Sequence, residues 1–206
     1  MARVTSMKLL PSRAPASVLG PIVAVLARAG VTPNMLSVTG LLGNGAAGLL
    51  VARGDLIAAG IVMLLASGLD MLDGALARAT GKAGPVGALL DSTFDRVSEA
   101  AVLFGVLWYA LDRGHDDQAA LAFVAIVGSL LVSYVRARVE GLGGRLTDGL
   151  FTRAERVVLL ALALIFGFLR GALWVLAVLT LVTAAQRLYL GARVLGGPGG
   201  TAGGTP

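Results

Sequence analysis

Six apolar stretches, each about as long as a membrane is thick, constrain this chain more than any other feature. A hydrocarbon core of about 30 Å needs roughly 20 mostly apolar residues per helix. Segments at about 34–53, 55–79, 84–111, 118–140, 153–170 and 171–194 meet that requirement. The chain is 56% hydrophobic and only 14% charged, where soluble domains carry about 45–50% and about 25%. The expected fold is therefore an all-α integral membrane bundle with six transmembrane helices. A shorter apolar stretch, Pro15 to Ala27, precedes them between Arg13 and Arg28. Its length fits a signal peptide as well as an interfacial helix. Val18, Ile22, Val25 and Ala29 recur at helical spacing, which favours a helix lying in the headgroup plane over about 13–29. Residues 1–195 read as one membrane domain without an internal repeat. The tail Gly196–Pro206 (GGPGGTAGGTP) has almost nothing to bury and is expected to be disordered.

The net charge of +5 and pI of about 10.4 raise nucleic acid as a partner. The basic residues fall between apolar segments rather than on one soluble face, so they read instead as an orientation signal and no nucleic acid is expected. With a cytoplasmic N-terminus, that side holds Arg3, Lys8, Arg13, Arg28, Arg78, Lys82, Arg96, Arg136, Arg138, Arg145, Arg153, Arg156, Arg187 and Arg193. The other side keeps Arg53, Arg113 and Arg170, a division of 14 against 3. The positive-inside rule then places both termini in the cytoplasm of a multi-pass cell-membrane protein. Trp108, Tyr109 and Trp174 fall near the outer interface, where amphipathic rings are favoured. Cysteine is absent, which excludes disulfides and thiolate metal sites. The lone histidine, His115, lies among Asp112, Asp116 and Asp117 and reads as a solvated loop residue.

Intramembrane carboxylates cost about 2.5–3.5 kcal/mol each even on the lenient insertion scale. Here the second segment carries Asp70 and Asp73, and the third carries Asp91 and Asp95. Spacings of three and four put each pair on one helix face. The connection Thr80 to Gly84 is short, so the helices run antiparallel and the pairs can converge, toward the cytoplasmic boundary rather than the midplane. Four carboxylates at close range repel unless a cation holds them. Hard oxygen donors without His or Cys favour Mg²⁺, Mn²⁺ or Ca²⁺, and two such ions can clamp a phosphoryl or pyrophosphate group. The bland alternative pairs the acids with Arg78, Lys82 and Arg96 at solvated helix ends. Gly74, Ala77 and Gly87 adjoin the acids and suggest close approach of a helix or a ligand.

Read continuously, Asp70, Asp73, Gly74, Ala77, Arg78, Gly87, Asp91 and Asp95 fit D-x-x-D-G-x-x-A-R-x8-G-x3-D-x3-D. This resembles the complete signature of the CDP-alcohol phosphotransferases. The resemblance implies a six-helix bundle with a leading interfacial helix, usually a homodimer. It also implies two metal sites, Mg²⁺ or Mn²⁺, held by Asp70, Asp73 and Asp91 with Asp95 at the edge of the second. Asp95 would be the general base that deprotonates the attacking hydroxyl. Gly74 and Arg78 would contact the CDP moiety of a lipid donor. The start of the first span, Asn34, Met35, Leu36 and Ser37, resembles the family's nucleotide-contacting segment, with Ser37 where threonine is more usual. Gly84 would add a backbone contact.

The acceptor is read from flanking residues. Ser92 and Arg96 resemble the inositol-phosphate-accepting branch, where glycerophosphate-accepting relatives tend to carry proline and lysine. By the same resemblance Arg136, Arg153 and Arg187 would hold the phosphate of a phosphorylated polar alcohol, with arginine at 136 where lysine is common. Positive-inside topology alone would also account for all three. The expected reaction is transfer of a phosphatidyl-type or archaetidyl group from a CDP-lipid to inositol 1-phosphate, releasing CMP. Glycerol 3-phosphate or another polar alcohol is the alternative acceptor. A small helical-bundle transporter is a remote alternative, because transporter sites lie near the midplane between repeats.

Overall fold

The computed structural model describes residues 16–146 and 149–196 of the 206. The tail residues 197–206 and the start of the leading stretch, residues 13–15, lie outside them. The described residues form seven helices, α1 (Ala16–Arg28), α2 (Pro33–Arg53), α3 (Leu56–Ala79), α4 (Pro85–Asp112), α5 (Asp116–Gly141), α6 (Arg153–Phe166) and α7 (Leu169–Leu195), and no strand. Local chemistry sets their ends. Thr32 caps α2 by accepting from the Met35 amide at 3.3 Å, with Pro33 in the first turn. Gly54 closes α2 in the left-handed conformation at φ 92°. At α6 the Glu155 carboxylate accepts from the Thr152 amide at 2.7 Å and from its hydroxyl at 2.9 Å.

α2, α3, α5 and α7 are long and apolar enough to cross a membrane. α4 has the length, at 28 residues, but carries Asp91, Asp95, Arg96, Glu99 and Asp112. α6 departs from the expected span over 153–170. Gly167, at φ 78°, stops it after 14 residues, about 21 Å of helix. The flanks of the bundle are apolar, with Leu42, Leu65, Phe104, Phe123 and Phe166 each more than half exposed, as a lipid-facing surface requires.

Packing corrects the simple picture of an α3–α4 hairpin. α3 and α4 touch each other little, and α2 packs closely against both. Glycines make that approach possible. A Cβ on Gly105 of α4 would strike the backbone of Gly48 in α2, and one on Gly40 would strike the Asp70 carboxylate. The main core runs through Ala47, Val51, Met63, Val102, Leu164 and Leu173. A second, smaller core of Val23, Leu36 and Leu76 ties α1 to α2 and α3. On α1, Ile22 and Val25 remain exposed while Val23 packs inward.

Candidate active site

Holding α3 and α4 apart on α2 leaves a cavity of about 470 Å³ at their ends. Asp73, Asp91, Arg78 and Lys82 line it, together with small residues: Gly74, Ala77, Ala83, Gly84, Gly87 and Ala88. A Cβ added at Gly84 or Gly87 would meet nothing within 4 Å, and one at Gly74 would meet only Arg78, at 3.4 Å. These glycines therefore make no helix contact within the chain and leave the cavity open. Asn34 and Ser37 from the first turn of α2 complete the lining with Thr32 and Pro33. Met35 and Leu36, from the same segment, do not join it. Met35 is 56% exposed on the outside, and Leu36 is buried in the small core against Val23 and Leu76. Successive helical residues point about 100° apart, so one turn cannot present four side chains to one ligand.

Asp73 is nearly fully buried and accepts from the Ser37 hydroxyl at 2.5 Å. The Pro33 carbonyl, 3.2 Å from the same hydroxyl, is a second acceptor. Asp70 and Asp95 are drawn together by one cation. Arg153, at the start of α6, reaches Asp70 Oδ2 at 3.0 Å and Asp95 Oδ1 at 2.6 Å. All four carboxylates lie within electrostatic reach of Arg153. The expectation that the α3 and α4 acids converge is met, but across α2 and through α6. The bland pairing with Arg78, Lys82 and Arg96 is not what forms; Arg96 turns back onto the Ser92 carbonyl.

Arg153 bridges two of the four acids, and the four carboxylates together make an oxygen-only donor set. That chemistry fits hard divalent ions. Among the described residues no three acidic or histidine side chains are gathered tightly enough to hold a metal as they stand, since Asp70 and Asp95 are engaged with Arg153.

The three arginines expected at the acceptor occupy different settings. Arg153 faces the carboxylates, and its Nε is buried without a hydrogen-bond partner. Arg187 is buried on α7 and donates to the Val132 carbonyl at 2.8 Å. Arg136 lies within electrostatic reach of Arg187 and is half-exposed, paired with Glu140 at 2.9 Å. Sequence reasoning missed Lys82 as a cavity residue and missed a fifth carboxylate, Glu99, bound to Arg156. Glu99 follows Asp95 by four residues, so the spacing that exposed the first four acids extends to it.

Because a side chain at position 87 would point into empty cavity, Gly87→Leu should leave folding unchanged. It should raise the Kd for a CDP-lipid at least about tenfold by occupying the ligand's volume. Titration of the purified variant with a CDP-lipid checks this, and unchanged affinity would move the nucleotide elsewhere.

Comparison with known proteins gives the family of the chain. Residues 30–186 match the CDP-alcohol phosphatidyltransferase family. A phosphatidylinositol phosphate synthase of Mycobacteroides abscessus is 39% identical over 183 residues, covering 84% of this chain and 83% of that protein. An archaetidylinositol phosphate synthase of Pyrococcus horikoshii is 39% identical over 165 residues, covering 80% of this chain and 85% of the relative. The crystal structure of Mycobacterium tuberculosis phosphatidylinositol phosphate synthase with CDP-DAG bound superposes with a TM-score of 0.82 at 32% identity. That match covers 93% of this chain and all of the other. The same enzyme in complex with manganese and citrate matches with a TM-score of 0.79 at 33% identity, over 91% of this chain and 93% of that one. The fold, the aspartate signature and these relatives together make the chain a multi-pass membrane enzyme of the CDP-alcohol phosphatidyltransferase family.

Proposed function

We propose that this enzyme transfers a phosphatidyl-type group from a CDP-lipid to inositol 1-phosphate and releases CMP. The observation that carries the reading is the glycine-walled cavity, lined by Asp73 and Asp91 and by Arg78 and Lys82. A nucleoside diphosphate needs such a combination of open volume and fixed charge. The names of the relatives support inositol phosphate as the acceptor class. Asp70, Asp73 and Asp91, with Asp95 at the edge, would hold two divalent ions, Mg²⁺ or Mn²⁺. When bound, such ions offset the negative charge of a pyrophosphate and of the departing CMP.

The chain's own residues do the rest. Arg78, Gly74, Gly84, Asn34 and Ser37 orient the nucleotide; arginine's planar fork suits phosphate oxygens. Ser37 fixes the Asp73 carboxylate through its 2.5 Å hydrogen bond. Asp95 accepts the proton of the acceptor hydroxyl, which attacks the lipid-side phosphorus in a single displacement. Arg153 presents a buried, unpartnered Nε–H to the acceptor's phosphate, with Arg136 and Arg187 adding positive charge. The same reading makes residues 1–195 one membrane domain that crosses six times through α2 to α7. Arg153 and Arg170 would bracket α6 at the two membrane faces. α1 would lie on the cytoplasmic surface, and both termini and the site would face the cytoplasm. It also carries a homodimer, which the mass of the detergent-solubilised protein checks.

The deciding experiment is CMP release from a CDP-lipid by purified protein with inositol 1-phosphate, glycerol 3-phosphate, serine or inositol, each with and without Mg²⁺. The expected result is release with inositol 1-phosphate, abolished by chelation and restored by Mg²⁺ or Mn²⁺. Release with glycerol 3-phosphate instead would keep the chemistry and remove the acceptor assignment. Chelator-insensitive release would remove the metal reading.

A further inference from the structure

Below the candidate site, α4 and α6 are joined by a second arginine–carboxylate contact that the proposed chemistry does not use. Arg156 meets Glu99 through two parallel bonds, Nε to Oε1 at 2.5 Å and Nη2 to Oε2 at 2.8 Å. Ser129 of α5 donates to the same Glu99 Oε1 at 2.8 Å. Arg156 Nη1 donates to the Phe151 carbonyl, just before α6, at 3.2 Å. The side chains of Arg156 and Glu99 are 4% and 7% exposed, while those of Arg153 and Asp95 are both 26% exposed. The two contacts are rungs of one ladder. Asp95 and Glu99 are four residues apart on α4, and Arg153 and Arg156 are three apart on α6, so each pair shares a helix face. One rung is open to the site and the other is sealed beneath it.

The close backbone neighbours of α6 are α3 and α7; α4 is not among them. The long arginine side chains therefore bridge the distance between the first turn of α6 and α4. A buried ion pair is a weak device for stability alone, since apolar residues of similar volume often do better. Its strength is directional: a two-pronged guanidinium–carboxylate bond fixes distance and orientation together.

We propose that the Glu99–Arg156–Ser129 unit is a positioning element for acceptor binding. It holds the first turn of α6 in the register that places Arg153 over Asp95, and so sets the affinity for the phosphorylated alcohol without touching it. The proposal rests on reading Arg153 as the cation that receives the acceptor's phosphate.

The test is steady-state kinetics of detergent-purified variants, with KM measured separately for the CDP-lipid and for inositol 1-phosphate. Glu99→Met combined with Arg156→Met removes the rung without leaving an unpaired buried charge. Acceptor KM is expected to rise at least about tenfold while donor KM changes less than about twofold. Arg156→Lys, which keeps the charge and loses the fork, should fall between this variant and wild type. Ser129→Ala removes a single donor and serves if the double variant does not fold; it should raise acceptor KM alone, by a smaller factor. An unchanged acceptor KM, or equal rises for donor and acceptor, would overturn the positioning role. Arg153→Ala distinguishes the two levels of the argument. If acceptor KM does not rise in Arg153→Ala, the reading of Arg153 falls, and the positioning role with it.

Discussion

Asp95→Asn should lower kcat by at least about a thousandfold, the middle of the range for loss of a general base. The Kd for a CDP-lipid should stay within about twofold. The asymmetry follows from where Asp95 sits. It does not line the cavity that Asp73, Asp91, Arg78 and Gly74 enclose, so donor binding has little to lose. Its carboxylate is held by Arg153 at 2.6 Å, and that arginine keeps its second partner, Asp70, in the variant. Asparagine preserves size and one acceptor oxygen but cannot take up a proton. Single-turnover CMP release alongside equilibrium titration with CDP-lipid separates the two effects. Turnover near the wild-type rate would mean that another group deprotonates the acceptor.

Gly105→Val should destabilise the fold by at least about 3 kcal/mol, at the upper end of ordinary overpacking costs. The reason is what the new side chain would strike. At Gly105 the added atom meets the carbonyl carbon and Cα of Gly48, at 2.8 and 2.9 Å, and the Gly48 oxygen closer still. Backbone cannot rotate out of the way as a side chain can, so α2 and α4 must separate. That separation would also disturb the site, because α2 packs against both aspartate-bearing helices. A drop in Tm of roughly ten degrees in detergent corresponds to such a loss for a chain of this size. A Tm within two or three degrees of wild type would show that α2 and α4 do not meet backbone to backbone.

Both variants concern features visible in the sequence to different degrees. Asp95 could be singled out without any structure. Its charge is costly in an apolar helix, and its spacing from Asp91 depends on helix geometry alone. The glycine at 105 could not. It is the single glycine of the apolar run 100–111, and nothing local says whether it faces a backbone, a carboxylate or open space. Gly40 makes room for Asp70, Gly105 meets Gly48, and Gly87 opens onto the cavity. The three roles are identical in sequence and distinct in the folded molecule.

The same division holds for the charges. The linear order of the chain determined where apolar helices run, which faces of α3 and α4 carry acids, and that a small-residue wall accompanies them. Those properties depend on the rise and turn of a helix and on the thickness of hydrocarbon, which are local and fixed. Tertiary structure decided the partners. Arg153 reaches Asp70 from 83 residues away and Arg156 reaches Glu99 from 57, separations over which periodicity carries no information. It also decided that α3 and α4 stand apart with α2 between them, and that Leu36 packs into a core with Val23 and Leu76. Charge pairing across a bundle depends on which helices pack together, and that choice is made by the sum of many small contacts rather than by any one motif.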